Sequence, residues 1–321
     1  MRFLQILSLF LLITTHSVAN ASEVLRVSVL KFGTVNWELD VIKHNGFDQA
    51  NGFDMQVQGV ANKAAAEIAF QGGGADIIVS DWIWVARQRA AGKDFVFIPY
   101  SKAVGGLMVP NDSPVQKLSD LDGMKIGIAG GPVDKSWLIL RAYAQQTEGF
   151  DLKANTEQVF GAPPLIFKTA LKGDLGGVIN FWHFMAKLDA KGFRQVVSVA
   201  DAAQELGLDP ETPLLGYVVK GGLLRENPRL VAGFAAASRA AKELLTESDD
   251  EWDRLRPRMK AKNDAAFAAL KAGFRAGIPS NVSVNTQAAS RFLSLMAELG
   301  GKKLVGNATT LPDGIFYTPG S

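Results

Sequence analysis

Four tryptophans lie beside small polar residues at positions where a predicted strand ends and a helix begins. The candidate ligand-binding residues in these four segments are Asn36, Trp37, Ser80, Asp81, Trp82, Gly131, Lys135, Trp137, Asn180 and Trp182. An indole at each position would form an aromatic box that stacks a planar ligand or holds a cation. The alternative is that some indoles pack helix starts against sheets in the core. We expect at least two of them to line a site.

The polar residues of these segments supply charge and hydrogen bonds. Asp81 lies among apolar neighbours, where a buried carboxylate is costly unless a ligand, a cation or an N–H group pairs with it. The same carboxylate is a candidate N-cap for the helix that starts at Trp82, and the two roles are compatible. Ser80 and Asn180 stand at matched positions and predict hydrogen bonds to a ligand.

A glycine pair precedes the segment that carries Trp137. Gly131 would expose backbone N–H groups at a helix start, which is a weak anion site that Lys135 would strengthen. Glycines at such turns are also used for purely steric reasons. Both interpretations of this segment stay open from the sequence.

The two halves of the chain repeat one pattern at a constant offset, so that Trp82 corresponds to Trp182 and Trp37 to Trp137. Residues 72–84 and 173–184 each contain a glycine turn, an apolar strand, a polar tip and an aromatic residue. A repeat of this length predicts two similar lobes that face each other. The function is then expected in the cleft between them.

Short apolar strands alternate with helical segments through both halves. This alternation predicts an α/β fold with two similar lobes, each built on a mostly parallel sheet with helices against it. In such an architecture a ligand binds outside the carboxyl ends of the strands. All four tryptophan segments are therefore expected at one cleft.

The chain is predicted to cross between the lobes twice. Residues 22–104 form the first part of lobe 1, residues 105–205 form lobe 2, and residues 206–321 return to lobe 1 and add C-terminal helices. We expect the hinge near residues 101–106 and 201–212.

Residues 1–21 have the pattern of a secretory signal peptide: Arg2, an apolar run over residues 3–13, and a small-residue cleavage site. A membrane anchor is the alternative, but the run is far shorter than the roughly 20 residues of a spanning helix. The chain has no cysteine, which excludes disulfides and a lipid-bearing cysteine. The predicted location is the periplasm, as a soluble monomer without a lipid anchor.

Composition and motifs exclude several functional classes. The 34 basic and 32 acidic residues are balanced and give no argument for nucleic acid or an anionic membrane surface. The three histidines form neither a cluster nor an HExxH pattern, so no metal site is predicted. The chain has no GxSxG nucleophile elbow, P-loop or GxGxxG fingerprint. We therefore expect no catalytic residue and no cofactor.

Three segments carry a family resemblance: residues 66–81, the block Leu-Ser-Asp-Leu-Asp-Gly-Met-Lys-Ile-Gly at residues 118–127, and residues 226–228. In these the chain resembles the periplasmic substrate-binding proteins of ABC importers, of the NMT1-like type for nitrate, sulfonates, taurine and thiamine precursors. The resemblance implies a type II periplasmic-binding-protein fold and an ABC permease as partner. Many members have an aspartate where this chain has residues 176–180, which leaves the substrate class open.

The predicted function is solute binding for an ABC importer, by hinge closure around a small organic ligand that is planar and nitrogen-bearing or sulfonate-like. A pyrimidine-precursor synthase resembles these binding proteins, but it needs a cysteine-rich element that this chain does not have. The alternative function is that of a periplasmic accessory or sensor protein that keeps the fold without a transport role. Neighbouring permease and ATPase genes would favour transport.

Overall fold

The chain folds into two lobes, each built on a five-stranded sheet. The computed structural model describes residues 22–209, 211–280 and 283–318, so the predicted signal peptide lies outside the described residues. The strands are β1 (Glu23–Leu30), β2 (Phe53–Val60), β3 (Ile77–Asp81), β4 (Phe95–Ser101), β5 (Gly106–Pro110), β6 (Lys125–Ala129), β7 (Glu157–Gly161), β8 (Gly177–Asn180), β9 (Phe193–Ser198) and β10 (Leu215–Lys220).

Helices connect and cover these strands. They are α1 (Val35–His44), α2 (Phe47–Ala50), α3 (Lys63–Gln71), α4 (Trp82–Ala90), α5 (Lys135–Glu148), α6 (Pro163–Ala170), α7 (Trp182–Asp189), α8 (Val199–Glu205), α9 (Gly221–Glu226), α10 (Pro228–Glu247), α11 (Asp249–Met259), α12 (Asp264–Ala276) and α13 (Thr286–Val305). No helix among the described residues has the length and apolar character needed to cross a bilayer.

The two sheets have the same topology. Lobe 1 has the order β2-β1-β3-β10-β4, and lobe 2 has the order β7-β6-β8-β5-β9. In each sheet three neighbouring strands are parallel, and the fourth strand is antiparallel to both of its neighbours. That fourth strand comes from the part of the chain that forms the other lobe. Strand β5 follows β4 of lobe 1 and joins the sheet of lobe 2, whereas β10 follows the last helix of lobe 2 and joins the sheet of lobe 1. The predicted fold class, two similar α/β lobes with mostly parallel sheets, is confirmed.

Glycines at matched turns explain much of the repeat. Gly73 has a φ angle of 81° and Gly173 one of 82°, at the end of α3 and just after α6. Gly92 and Gly192 have φ angles of 82° and 83° after α4 and α7. These left-handed conformations are strained for other residues, so the same turn in each lobe requires the same residue type.

The C-terminal helices join the lobes. Helix α13 packs against α4 of lobe 1 and against α5 of lobe 2, and one hydrophobic cluster extends through all three. Helix α12 packs against α7 of lobe 2. A second cluster combines α1, α10, α11 and α12 with the sheet of lobe 1. The C-terminal third of the chain therefore positions the two lobes relative to each other.

The two crossover segments contact each other. Lys102, between β4 and β5, places its Nζ atom 2.8 Å from both carboxylate oxygens of Glu211, which precedes β10. The backbone N–H of Lys102 donates to the carbonyl of Gly277 at 2.7 Å. The segments expected to form the hinge are thus bonded to each other and to the loop after α12.

Two element ends have local causes. Strand β9 ends at Ser198, because its side chain accepts a hydrogen bond from Asp201 N–H at 2.9 Å and caps α8. Helix α13 continues to Val305, with non-helical geometry at Gly301, because the buried Val305 belongs to the cluster shared by the lobes.

Candidate functional site

A cleft that opens to solvent lies between the lobes, and the empty space in it, including its solvent-filled mouth, is about 950 Å³. It is lined by segments at the carboxyl ends of strands in both sheets, where helices begin. The polar and aromatic side chains of its wall are Ser28, Thr34, Lys63, Ser80, Asp81 and Tyr100 from lobe 1 and Asp134, Lys135, Ser136, Phe181, Trp182 and His183 from lobe 2. The position of this cleft agrees with the general rule for ligand sites in open α/β sheets.

Asp81 performs both of the roles considered from the sequence. Its Oδ1 atom accepts from the backbone N–H of Trp84 at 2.8 Å and caps α4, and its Oδ2 atom lies 2.8 Å from Lys63 Nζ. Burial raises the pKa of Asp81, but the cations of Lys63 and Lys135 outweigh it, so the pKa lies below its ordinary value. Asp81 is therefore an anion at neutral pH.

Opposite charges face each other across the cleft. Lys63 of lobe 1 interacts with Asp134 of lobe 2, and Asp81 of lobe 1 interacts with Lys135 of lobe 2. Burial lowers the pKa of Lys63, but the carboxylate of Asp81 contributes most to a net increase. These four charges cancel in sum, and they attract the lobes towards each other.

The helix start at Gly131 is already occupied by a side chain. Asp134 Oδ1 accepts from the N–H groups of Ser136 at 2.9 Å and Trp137 at 3.4 Å, and it caps α5. The carboxylate therefore fills the place that an anion would take. Lys135 lines the cleft, whereas Gly131 is not part of its wall.

The two predicted asparagines brace loops. Asn36 donates to the carbonyls of Leu30 at 2.8 Å and Gly33 at 2.7 Å. Asn180, which is buried, donates to Pro163 and accepts from the N–H of Phe181. Neither side chain belongs to the cleft wall, and the hydrogen bonds of both go to backbone groups of the protein. Of the matched pair Ser80 and Asn180, the structure brings only Ser80 to the cleft.

The four tryptophans do not form a box. Trp182 lines the cleft and meets Trp37 edge to face, with ring centroids 6.1 Å apart. Trp37 is itself buried against Trp252 and Phe274. The other two are in cores: fully buried Trp82 packs on Phe292 and Phe316, and buried Trp137 packs on Phe160. Because the indoles of Trp82 and Trp137 are buried against these apolar partners, they do not reach the cleft.

Eight of the polar and aromatic wall residues are missing from the sequence-based set: Ser28, Thr34, Lys63, Tyr100, Asp134, Ser136, Phe181 and His183. The sequence contains a pattern that could have identified Ser28, since it is a polar residue between two valines of a buried strand. The pattern for His183 is weaker, because it consists only of its position next to Trp182. Burial, together with the charge of Lys187, lowers the pKa of His183 to about 3. The imidazole is therefore neutral at physiological pH.

Two helix starts at the cleft have no capping side chain. Thr34 at the start of α1 and Phe181 at the start of α7 show no side-chain cap hydrogen bond, and both residues line the cleft. At α1 the N–H groups of Asn36 and Trp37 donate to the carbonyls of Gly33 at 3.2 Å and Thr34 at 3.0 Å. The start of α7 is therefore the one of the two at which the helix dipole favours a negative charge. Among the described residues, no group of three histidines, cysteines or carboxylates has a geometry for a metal ion. The wall of the cleft therefore offers charged and polar groups from both lobes.

One family model matches residues 40–251, which is more than half of the chain, and its description is NMT1/THI5 like. The chain belongs to the NMT1/THI5-like family. A comparison with curated proteins gives no significant match. The predicted resemblance to the NMT1-like type is confirmed by the family model.

Solved structures share the fold of this NMT1/THI5-like protein at low sequence identity. A protein of Bordetella bronchiseptica RB50 has a TM-score of 0.73 and 18% identity, covering 92% of this chain and 95% of its own. The aliphatic sulphonate binding protein SsuA of Escherichia coli has a TM-score of 0.70 and 16% identity, covering 91% and 93%. The alkanesulfonate-binding protein SsuA of Xanthomonas axonopodis pv. citri, bound to MOPS, has a TM-score of 0.70 and 17% identity, covering 92% and 99%. The fold is that of these periplasmic binding proteins.

Proposed function

We propose that this protein is a periplasmic solute-binding protein whose lobes close around a small organic ligand and present the closed form to an ABC permease. The observation that carries the proposal is the cleft whose wall comes from both lobes. A ligand that contacts both lobes makes its full set of contacts only in the closed state, so its binding favours closure. Family membership and the SsuA proteins among the structural neighbours support this function.

We propose an acidic group on the ligand, with a sulfonate as the first candidate. The start of α7 in lobe 2 has no capping side chain and meets the cleft. Lys135 adds a positive charge to the same cleft, whereas Lys63 is neutralised by Asp81. Trp182 offers one indole face to a planar part of the ligand.

Contacts between the two lobes across the cleft stabilise the closed form. Trp182 of lobe 2 packs against Trp37 of lobe 1 and lies so close to α12 that a Cβ atom on Gly273 would be 2.7 Å from its Cζ3 atom. The opposed charges of the two lobes act in the same direction. We therefore assign Trp182 as the contact that holds the closed form.

We propose binding without catalysis, by a monomer. His183 lines the cleft, but no carboxylate among the described residues orients its ring, and no hydroxyl group bonds to it. A nucleophile activated by a base needs such a chain of hydrogen bonds.

The test is to identify what the protein carries. Protein purified from its own cells under native conditions is denatured, and the released small molecules are analysed by mass spectrometry. A thermal-shift series with alkanesulfonates and carboxylates then ranks them, and small-angle scattering measures the radius of gyration. We expect an organic acid that raises the Tm and reduces the radius. If no released compound or acid does either, the proposed function is wrong.

A further inference from the structure

Three buried polar side chains on the cleft wall have no hydrogen-bond partner among the described residues. They are Ser28 and Ser80, through their Oγ atoms, and His183, through both ring nitrogens. Their exposed fractions are 0%, 2% and 5%. A buried polar group without a partner costs free energy, and most such groups in native proteins are bonded. Since all three line the same cleft, a molecule that enters it is the partner available to them.

Polar side chains next to these three form hydrogen bonds within the protein. Asn180, two positions before the start of α7, uses both the oxygen and the nitrogen of its amide in internal hydrogen bonds. Asp81, adjacent to Ser80, uses both carboxylate oxygens. Among the described residues, the other buried side chains with an atom that has no hydrogen-bond partner are Glu38, Asp48, Trp82, Arg141 and Thr212, none of which lines the cleft. The three on the cleft wall differ from these in that a molecule entering the cleft can reach them, which indicates a binding role.

The three groups form a neutral set. Lys187, on the same helix, is the charge that acts on His183, and burial has the larger effect on its pKa. The other charges of the cleft are the Lys63–Asp81 pair of lobe 1 and Asp134 and Lys135 at the start of α5. A neutral imidazole has one donor and one acceptor nitrogen, and each serine hydroxyl can donate and accept.

We propose that Ser28, Ser80 and His183 form a neutral subsite that binds an uncharged group of the ligand carrying both a hydrogen-bond donor and an acceptor, such as a hydroxyl or a carboxamide. This inference rests on the proposed function of the cleft and specifies its ligand further. The ligand has two parts: an acidic group at the start of α7 and a donor–acceptor group at the subsite. A ligand with only acceptors leaves the acceptor nitrogen of His183 unbonded.

Matched probes test the subsite by isothermal titration. Isethionate and propane-1-sulfonate differ only in a hydroxyl against a methyl group, and 3-carbamoylbenzoate and 3-acetylbenzoate differ only in an amide N–H₂ against a methyl group. We expect the donor-bearing member of a pair to bind about tenfold more tightly to the wild-type protein, as one or two added hydrogen bonds would give. In His183→Leu this ratio falls to about one to two, and His183→Gln, which keeps a donor and an acceptor, retains most of it.

A stability measurement separates a binding role from a structural one. Ser28→Ala removes an unbonded hydroxyl, so the Tm of the free protein stays equal or rises by about 1–2 °C. Ser238→Ala is the matched control, because buried Ser238 donates to Glu38 at 2.6 Å and its loss lowers the Tm. Ser28→Ala is expected to lower the affinity for the donor-bearing probes. Ser238→Ala, which changes a residue outside the cleft wall, is expected to leave the affinity ratio within each probe pair unchanged.

The outcomes distinguish the subsite from the function. If both members of each pair bind equally and reduce the radius of gyration, solute binding stands and the subsite is overturned. Equal loss of the ratio in His183→Leu and His183→Gln also overturns it, since hydrogen bonding is then not the cause. If neither member of either pair binds or closes the lobes, both the acidic ligand class and the subsite fail.

Discussion

Within each pair of matching tryptophans, Trp82 with Trp182 and Trp37 with Trp137, the two indoles have different surroundings. Trp82 and Trp137 are buried in the hydrophobic cluster that α13 shares with both lobes, whereas Trp37 and Trp182 meet edge to face across the lobes. Each repeated pair thus contributes one indole to the core and one to the contact between lobes. The position of each indole within its own lobe follows from the repeat. Whether the indole is buried depends on the C-terminal helices, which pack differently on the two lobes.

The helix starts of the two lobes differ in the same way. Asp81 caps α4 and pairs with Lys63, whereas its counterpart Phe181 leaves α7 without a capping side chain. Lobe 1 fills its helix start with its own carboxylate, and lobe 2 leaves the equivalent one open. The difference gives the cleft a place for a negative charge on one lobe only.

The largest expected effect contrasts a core indole with the cleft indole. Trp82→Ala removes a fully buried side chain, which lowers the free energy of unfolding by about 3–5 kcal/mol. Trp182→Ala removes a partly exposed one, with a loss of about 1–2 kcal/mol. Urea unfolding measures both. The contrast fails if Trp182→Ala is as destabilising as Trp82→Ala.

The next effect concerns the pH dependence of stability. The pKa of His183 is about 3 in the folded protein and about 6.5 when unfolded, so the unfolded chain binds more protons between these values. Stability therefore falls as the pH falls through 6.5, by about 2 kcal/mol between pH 7 and pH 5. His183→Gln removes this part of the slope in urea titrations at the two pH values. Exposed His44→Gln is the control, and an unchanged slope in His183→Gln would contradict a neutral buried imidazole.

A smaller effect tests the contact of Trp182 with α12. Gly222→Ala, in α9, would place its Cβ in ordinary contact with Glu226 Oε1 at 4.0 Å and gains up to about 1 kcal/mol from helix propensity. Gly273→Ala gains no such stability, because its Cβ would lie 2.7 Å from the Trp182 ring and displace it. We also expect weaker binding of propane-1-sulfonate by Gly273→Ala. Equal stabilisation of both variants would show that the indole does not depend on this close approach.

The smallest effect on stability tests the difference between the helix starts. Phe181 has φ −67° and ψ 147°, which suits an N-cap, so Phe181→Asp is expected to stabilise the free protein by about 1 kcal/mol. The new carboxylate occupies the open N–H groups of α7 and repels an acid. Titration with propane-1-sulfonate should then show at least about a tenfold loss of affinity. Phe181→Asn, a neutral cap, is the control, and equal affinities for the two variants would argue against an anion at this helix start.

The fold was predictable because its signals are local. Strand and helix periodicity and the turn glycines at Gly73 and Gly173 are visible in short windows of sequence. The position of Trp82 was not, because it depends on contact with Phe292 of α13, more than two hundred positions away. Asp81 was predicted in both of its roles, since a carboxylate before an apolar helix start is itself the signal. Ser28 and His183 were missed because one polar residue in an apolar segment carries little information without the cavity.

The central claim is that the lobes close around a small molecule in the cleft. The chain has no cysteine, so the double variant Ile68→Cys and Leu165→Cys places two spin labels on exposed positions, one in each lobe. The label-to-label distance is measured by pulsed electron paramagnetic resonance with and without the small-molecule fraction released from the native protein by heat. The account predicts a shorter, narrower distance distribution with that fraction, and loss of this shift in Trp182→Ala. Saturated binding with an unchanged distance distribution would contradict it.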